Sequence, residues 1–451
     1  MRCLLILCVL LAPAGPLCAA AVTDPTDRQI VRSFLAHVGR VPDRISEAYC
    51  KTLAAEEPEG YTWKITPQLR MPLVAFRLTG DPKYLDLFAR VFDRMRSALT
   101  RGPDGYLGWY GKPLPLFRNP ARPEQKVDVM ITSFSTAHAA AEFLEETAGK
   151  PELSRKYARQ RAAYLDLIEK HLVRKWERRG NVVDLGKRGS VFRTHAGLRD
   201  TKAHLTQPAN KHSIIARSYL ALYRVTAHDR YMRMAVKIGT RFKHTLTLRN
   251  GHYEWNYWDP AGAWDIHPAD GNRWKHWIGV EHRSGYYGHS VALAVDLYHH
   301  GVVFDRTDIT RFLKTQLTVC WNGNMKNPYW ARVDGTRSAK YMRGAYMSSA
   351  LAPLDKSIET FVFAGPRQAQ RLKRAAHPWQ GGPVAARWLE NKLWWLPRAR
   401  GGKQVYLGHG RTFLAREENK ALHDALSFQI RPPGYVAPRT PVAAKPKPPA
   451  K

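Results

Sequence analysis

A repeated pair of helix-length segments constrains the fold of this chain more than any other sequence feature. Between about residues 28 and 365, stretches with apolar residues at helical spacing alternate with short turns containing glycine and proline, as at 80–82 and 149–151. The first stretch of each pair is rich in small and apolar residues, whereas the second carries charge along its outer face. This difference is typical of an inner and an outer layer of helices.

The spacing of these pairs indicates a ring of helices. We predict an all-α fold, an α/α toroid or incomplete barrel of helical hairpins, because the intervals are longer than those of the common short solenoid repeats. Its groove would lie at the amino-terminal ends of the inner helices. Residues 246–283 interrupt the helical pattern and predict an aromatic loop or hairpin over that groove. The inner helices are predicted to begin near residues 66, 127, 210, 285 and 340.

The two ends of the chain differ in composition from this helical body. Residues 1–21 combine an early arginine, a short apolar run and a final alanine triplet, which is typical of a secretory signal peptide and too short for a membrane span. We therefore expect a secreted or periplasmic protein with a catalytic toroid at 22–365. The basic, tryptophan-rich segment 366–432 is predicted to be a C-terminal extension packed on the toroid, and the Pro/Ala/Lys segment 433–451 a disordered tail.

The charge balance points to a polyanionic partner. The chain has 71 Lys and Arg against 38 Asp and Glu, a formal net charge of +33. Such a charge attracts polyanions, although charge spread over the surface for solubility is the simpler alternative. The sequence carries no helix-turn-helix, zinc-finger or RNA-binding signature. An anionic polysaccharide is therefore the expected partner, with no nucleic acid, and the oligomeric state stays open.

Two cysteines remain after the predicted signal peptide. An oxidising compartment permits a disulfide bond between Cys50 and Cys320, but their spacing in the sequence does not show whether the bond forms.

No cofactor is expected. An oxygen-rich cluster offers ligands for calcium as a lesser alternative, but its spacing departs from that of an EF-hand loop. The cluster consists of Asp265, His267, Asp270 and Asn272.

Residues 252–290 concentrate aromatic side chains far beyond what a core requires. Flat aromatic faces with a polar edge suit sugar rings, whereas closure of a local aromatic core is the alternative. The residues predicted to line sugar subsites are Trp255, Tyr257, Trp258, Trp274 and Trp277.

Polar residues cluster where three inner helices are predicted to begin, near 210, 282–289 and 337–343. Helix amino termini favour bound carboxylates because they carry free N–H groups and a positive dipole end. A uronic-acid polymer can be cut there by β-elimination, which needs a group to neutralise the carboxylate, a base and an acid.

These clusters resemble the α/α-toroid polysaccharide lyases, in particular alginate and glucuronan lyases, which use an Asn/His/Arg/Tyr constellation. The resemblance implies that Asn210 neutralises the substrate carboxylate with Arg283 or Arg343, and that Arg337 adds a further cation. It implies His282 or His212 as the base or a second neutralising group. The implied proton donor to the leaving group is Tyr286, Tyr287 or Tyr341.

Each of these residues also has a structural interpretation. Asn210 suits a helix cap, and His212 suits a structural histidine at a helix start. Adjacent tyrosines at 286 and 287 cannot both face one groove, and the arginines at 337 and 343 suit an ordinary basic surface.

Two other functions compete with the lyase. A non-catalytic glycan-binding protein would need only the charge and the aromatic loop. A glycoside hydrolase on the same fold would need paired carboxylates. The candidates for that pair are Asp128, Glu254, Asp259, Asp265 and Glu281.

Overall fold

The computed structural model describes residues 22, 24–267, 273–281, 285–324, 329–337, 348–364 and 382–432. The predicted signal peptide, the predicted tail and the inner helix predicted near residue 340 lie outside the described residues. In the described part, the helices run as follows: α1 Pro25–Gly39, α2 Val41–Arg44, α3 Glu47–Glu56, α4 Thr66–Leu69, α5 Met71–Thr79, α6 Lys83–Ser97, α7 Met130–Ala148, α8 Pro151–Lys156, α9 Ala158–Asp166, α10 Arg174–Arg178, α11 Ala209–Thr226, α12 Asp229–Thr245, α13 Gly285–His299, α14 Arg306–Lys314, α15 Lys356–Ala364, α16 Gly382–Leu389, α17 Leu396–Ala399, α18 Leu407–Leu414 and α19 Glu417–Ala425.

Several helices continue through wider π-helical or tighter 3₁₀ segments. Residues Tyr61–Ile65 lead into α4, Leu167–Val173 join α9 to α10, and Thr315–Cys320 extend α14. Ser349–Leu354 form a 3₁₀ segment before α15, and Glu390–Trp395 join α16 to α17.

The inner and outer layers follow from the burial pattern. Helix α7 is buried over most of its surface, as its small and apolar composition predicts, and α11 packs against it on one side. Helix α12 combines buried and partly buried positions and covers α11 from outside, while α6 covers α5 and α14 covers α13. The predicted inner-helix starts near 127, 210 and 285 agree with the observed starts at Met130, Ala209 and Gly285.

Contacts between neighbours close the inner layer into a ring, so the predicted α/α toroid is confirmed. Helix α5 contacts α7, α7 contacts α11, and α11 contacts α13. The segment Ser349–Leu354 follows α13, and Glu390–Trp395 with α16 connects it back to α5. Residues 382–399, predicted to be part of an extension, therefore complete the ring, with α1 packed outside them.

The chain also forms short antiparallel hairpins between the helices of the ring. Each pairs two strands that are consecutive in sequence, and the β9/β10 pair lies in the predicted aromatic loop. The strands are β1 Thr100–Arg101, β2 Leu107–Gly108, β3 Tyr110–Gly111, β4 Val127–Asp128, β5 Val182–Asp184, β6 Ser190–Phe192, β7 Thr247–Arg249, β8 His252–Glu254, β9 Ile266–His267 and β10 Arg273–Trp274.

Ion pairs fill the centre of the ring. Arg70 Nε lies 2.7 Å from Glu142 Oε2, and Arg77 contacts Glu390 while its Nε lies 2.6 Å from Glu146 Oε1. Burial opposes ionisation of Glu142, but the two arginines and a nearby histidine hold the pKa of its carboxyl well below the usual range. Each of these three carboxylates therefore has an arginine partner within the ring.

The segment at 404–410 covers the carboxyl-terminal ends of the inner helices. The Tyr406 amide donates to the carbonyl oxygen of His299 at 3.0 Å, and Tyr223 Oη donates to the carbonyl oxygen of His409 at 3.2 Å. This leaves the amino-terminal ends of the inner helices as the end at which a groove can open.

Cys50 and Cys320 are both buried free thiols in this structure, and burial raises the pKa of the Cys50 thiol to about 11. Among the described helices, none combines the length and apolar character needed to cross a membrane.

Candidate functional site: a carboxylate cleft and an aromatic row

A small cleft lies at the amino-terminal ends of α7 and α11. The turn before Tyr61 forms one wall, the β3–β4 region forms a second, and residues 194–211 form the third. Three carboxylates line it, from Glu57, Glu59 and Asp128. Of these, only Asp128 is among the carboxylates predicted from the sequence.

Asp128 sits at the end of β4, immediately before α7. Lys175 and Arg179 both contact its Oδ2 atom, Arg179 Nη1 at 2.8 Å, while its buried Oδ1 atom has no hydrogen-bond partner in the described part of the chain. A Cβ atom at Gly108 would lie 2.7 Å from both carboxylate oxygens, so this position requires glycine. The local structure therefore fixes one oxygen and leaves the other with unused acceptor capacity.

Glu59 occupies a more open position in the same cleft. Its Oε1 atom accepts a hydrogen bond from Trp63 Nε1 at 3.2 Å and lies 3.0 Å from Lys211 Nζ. Its side chain is 14% exposed, compared with 2% for Asp128. Because Thr132 at the start of α7 donates to the carbonyl oxygen of Pro58 at 2.7 Å, Glu59 is held beside the helix that Asp128 precedes.

A row of aromatic rings leads away from Glu59. The Trp63 and Tyr286 ring centroids lie 6.5 Å apart, Tyr286 and Tyr257 lie 5.4 Å apart and stack, and Tyr257 lies 6.0 Å from the ring of His276. Trp63 and Tyr286 are 39% and 37% exposed. This aromatic row therefore offers open ring faces next to the carboxylate cleft.

Two of the aromatic residues predicted to line sugar subsites, and one predicted proton donor, lie inside the protein instead. Trp255, Trp258 and Tyr287 are at most 3% exposed. Trp255 stacks on Tyr287 at 5.7 Å, and the Tyr287 hydroxyl donates to Gln316 Oε1 at 3.0 Å. These three side chains form part of the core beneath the groove. They therefore expose no surface to a ligand in the groove.

Asn210 and His212 are also buried, at 1% and 7% exposure. His212 Nε2 accepts a hydrogen bond from the Phe192 amide at 2.8 Å, and burial together with Arg241 lowers its pKa to about 3. Asn210 lies in the first turn of α11, where no side-chain cap bond forms. His212 therefore fixes a strand to a helix, and neither side chain faces the carboxylate cleft.

The remaining predicted residues are at least partly exposed or lie outside the described residues. Tyr257 and Tyr286 belong to the aromatic row. Trp277 is 49% exposed, Trp274 is half-buried on β10, and the exposed Arg337 lies 5.2 Å from the Tyr329 ring. His282, Arg283, Tyr341 and Arg343 lie outside the described residues, and their roles stay predictions.

The other predicted carboxylates have structural partners. Glu254 Oε1 contacts Arg249 and His252, Asp259 pairs with Arg431 at 2.9 Å, and Glu281 is fully buried. Both oxygens of Asp265 accept hydrogen bonds, from Thr206 and from the Ala261 amide.

Only two of the four predicted calcium ligands are among the described residues. Asp265 and His267 are described, whereas Asp270 and Asn272 lie outside the described residues. Among the described residues, no group of three or more His, Cys, Asp or Glu side chains is arranged to hold a metal ion.

Buried histidines make the stability depend on pH. Burial lowers the pKa of His138, His212 and His289 from 6.5 to about 3. Between these two values the unfolded chain binds protons that the folded chain does not, so the free energy of unfolding is highest above 6.5 and falls as the pH decreases. The amide oxygen of glutamine in His212→Gln can still accept the hydrogen bond from the Phe192 amide. We expect this variant to reduce the slope of the free energy of unfolding against pH by about 1.4 kcal/mol per pH unit.

Urea unfolding of the wild type and the variant at several pH values measures this slope. His228→Gln, at a side chain that is 59% exposed, is the control. An equal slope in the wild type and His212→Gln would contradict the prediction.

Comparisons with known proteins give one weak structural similarity. No protein-family model matches the sequence, and no curated protein matches it. One solved structure that is similar is an inactive variant of alpha-1,6-mannanase, GH76A of Salegentibacter sp. HEL1_6, in complex with alpha-1,6-mannotriose. It is 14% identical, with a TM-score of 0.40, over 80% of this chain and 85% of that chain. At this level of similarity, neither a reaction nor a substrate transfers to this chain.

Proposed function

We propose that this chain is a glycoside hydrolase that binds a polysaccharide along the aromatic row and cleaves it in the carboxylate cleft. The observation that carries the proposal is the pair Glu59 and Asp128, which line one cleft at the head of a row of open ring faces. Aromatic rings suit sugar faces, and paired carboxyl groups are the usual catalytic groups of glycosidic hydrolysis. The predicted signal peptide at 1–21 agrees with a substrate outside the cytoplasm.

Hydrolysis divides two tasks between the carboxyl groups. One donates a proton to the departing glycosidic oxygen, and the other acts as a base toward water or as a nucleophile toward the anomeric carbon. We assign the ionised role to Asp128, because two cations contact one of its oxygens and the other has no partner. We assign proton donation to Glu59, which contacts one ammonium group and an indole N–H and lies nearer to solvent.

Hydrolysis fits the described residues better than the β-elimination expected from the sequence. A tyrosine that exchanges a proton during elimination must reach the substrate. Tyr287, one of the predicted proton donors, is instead fully buried, and its hydroxyl donates to Gln316 Oε1. His212, the described candidate base, is buried and bonded to a backbone amide.

Incubation of the purified protein with neutral and acidic polysaccharides tests the proposed reaction. We expect new reducing ends with no growth of the absorbance of an unsaturated uronate. Growth of that absorbance would instead establish elimination, and binding with neither signal would establish a non-catalytic glycan-binding protein.

Removal of one open ring face should weaken substrate binding more than turnover. We expect Trp63→Ala to raise KM about 10-fold, because a stacked aromatic contributes about 1 kcal/mol beyond the area that it buries. Steady-state kinetics on the polysaccharide that the wild type cleaves provides the measurement. Tyr49→Ala, which removes a similarly exposed ring from α3, is the control and should leave KM unchanged. A normal KM in Trp63→Ala would exclude the aromatic row as the sugar site.

A further inference from the structure

A buried cation without a carboxylate partner lies beside the aromatic row. Lys202 is 7% exposed, and its Nζ atom lies 3.4 Å from Nδ1 of His276. Burial and then Arg199 lower the pKa of its ammonium group. In the described part of the chain, no carboxylate offsets this charge.

The surroundings of His276 are also cationic. Burial, Lys202 and Lys211 lower its pKa to about 4, so the imidazole is neutral at ordinary pH and keeps one donor and one acceptor nitrogen. Its ring lies edge-on to Tyr257 and to Trp258, at 6.0 Å and 5.5 Å between centroids. His276 therefore joins the end of the aromatic row to Lys202.

Lys211 connects this cationic cluster to the carboxylate cleft. It contacts Glu59 and lies 5.7 Å from the Phe117 ring, with a side chain that is 15% exposed. A sugar that rests on Tyr257 is consequently flanked by Glu59 on one side and by the pair Lys202 and His276 on the other.

A buried ammonium group without a counter-charge costs free energy, and a ligand that brings the missing negative charge recovers part of it. A chain with a formal net charge of +33 also attracts polyanions over a longer range. Both effects favour a substrate whose sugars carry a negative group.

We propose that Lys202, His276 and Lys211 form a subsite for the anionic group of an acidic sugar, a carboxylate or a sulfate ester, and that the substrate is therefore an acidic polysaccharide. This inference rests on the proposed hydrolase function and names its substrate class. Single-stranded nucleic acid also suits rings and cations, and its tighter binding is therefore one of the outcomes of the test.

Binding measurements on intact protein test the subsite without requiring turnover. The probes are oligogalacturonate, a chondroitin sulfate oligosaccharide, a neutral cello-oligosaccharide of equal length and oligothymidylate, each titrated by calorimetry at low salt. We expect at least one acidic oligosaccharide to bind more tightly than the neutral one. Lys202→Met should weaken that binding about 10-fold, because it removes a charge-assisted hydrogen bond.

Two further variants separate the charge at Lys202 from general effects. Lys275→Met removes the same charge from the neighbouring hairpin, where Lys275 Nζ donates to the Ala203 carbonyl oxygen at 3.1 Å, and should change the affinity less than Lys202→Met. Lys202→Arg should keep most of the affinity for the acidic probe. Because methionine at 202 removes a buried charge, this variant is not expected to impair folding.

The outcomes distinguish this inference from the proposed reaction. Binding of an acidic probe through Lys202 without any release of reducing ends would support the subsite and reject hydrolysis. Cleavage of an acidic polysaccharide with equal kcat/KM by the wild type and Lys202→Met would overturn the subsite and support hydrolysis. Equal affinity for acidic and neutral probes, or tighter Lys202-dependent binding of oligothymidylate, would also overturn it.

Discussion

Replacing Glu59 by glutamine should lower kcat by about 100-fold or more, because an acid–base group contributes roughly that factor or more to the chemical step. The amide retains the size of the side chain and can still accept from Trp63 Nε1, so the fold and the substrate affinity should change little. Single-turnover kinetics on the cleaved polysaccharide separates the chemical step from product release.

Glu124→Gln is the matched control for this variant. Glu124 is 83% exposed and only approaches Lys112 at the rim of the cleft, at 3.9 Å. Its replacement should leave kcat unchanged. A Glu59→Gln protein with the kcat of the wild type would remove Glu59 from the mechanism.

Replacing Arg77 by methionine should lower the free energy of unfolding by about 3–5 kcal/mol. Arg77 is only 5% exposed on its side chain and contacts three carboxylates, those of the buried Glu142 and Glu390 and of the partly buried Glu146. Its removal leaves negative charge in the centre of the ring without compensation. Urea unfolding, followed by circular dichroism, measures the loss.

Lys51→Met gives the matched comparison on the surface. Lys51 pairs with Glu47 at 2.7 Å, with both side chains more than half exposed, and such pairs contribute about 0–1 kcal/mol. If Arg77→Met destabilises no more than Lys51→Met, the ion pairs in the ring do not stabilise the fold as described.

The helical ring could be predicted from the sequence because its cause is local. Small and apolar residues at helical spacing form the inner helices, and glycine or proline turns separate the pairs, as at Gly80 after α5. The ring member formed by Glu390–Trp395 and α16 was harder to identify. Its many basic and aromatic residues resemble a surface extension, because the partners of its charged side chains lie on distant helices, as for Glu390 with Arg77 and Lys392 with Asp27.

The functional site was predictable only in part, for a different physical reason. The aromatic composition of 252–290 indicated a segment beside the groove. Composition does not tell which side of a loop faces inward, so it could not predict that Tyr257 and Tyr286 lie in the aromatic row whereas Trp255 and Trp258 lie in the core. Glu59 was missed because a single glutamate before a helix carries no motif. The spacing of four residues between Glu59 and Trp63 was the available signal, since one helical turn places a carboxylate beside an indole.

Cleavage in water enriched in the heavy oxygen isotope tests the central claim most directly. If Glu59 and Asp128 direct hydrolysis, one heavy oxygen atom appears per cleaved bond, at the new reducing end, detected by mass spectrometry, and this incorporation falls with activity in Glu59→Gln. Products that carry no heavy oxygen and are lighter than hydrolysis products by one water would contradict hydrolysis in the carboxylate cleft.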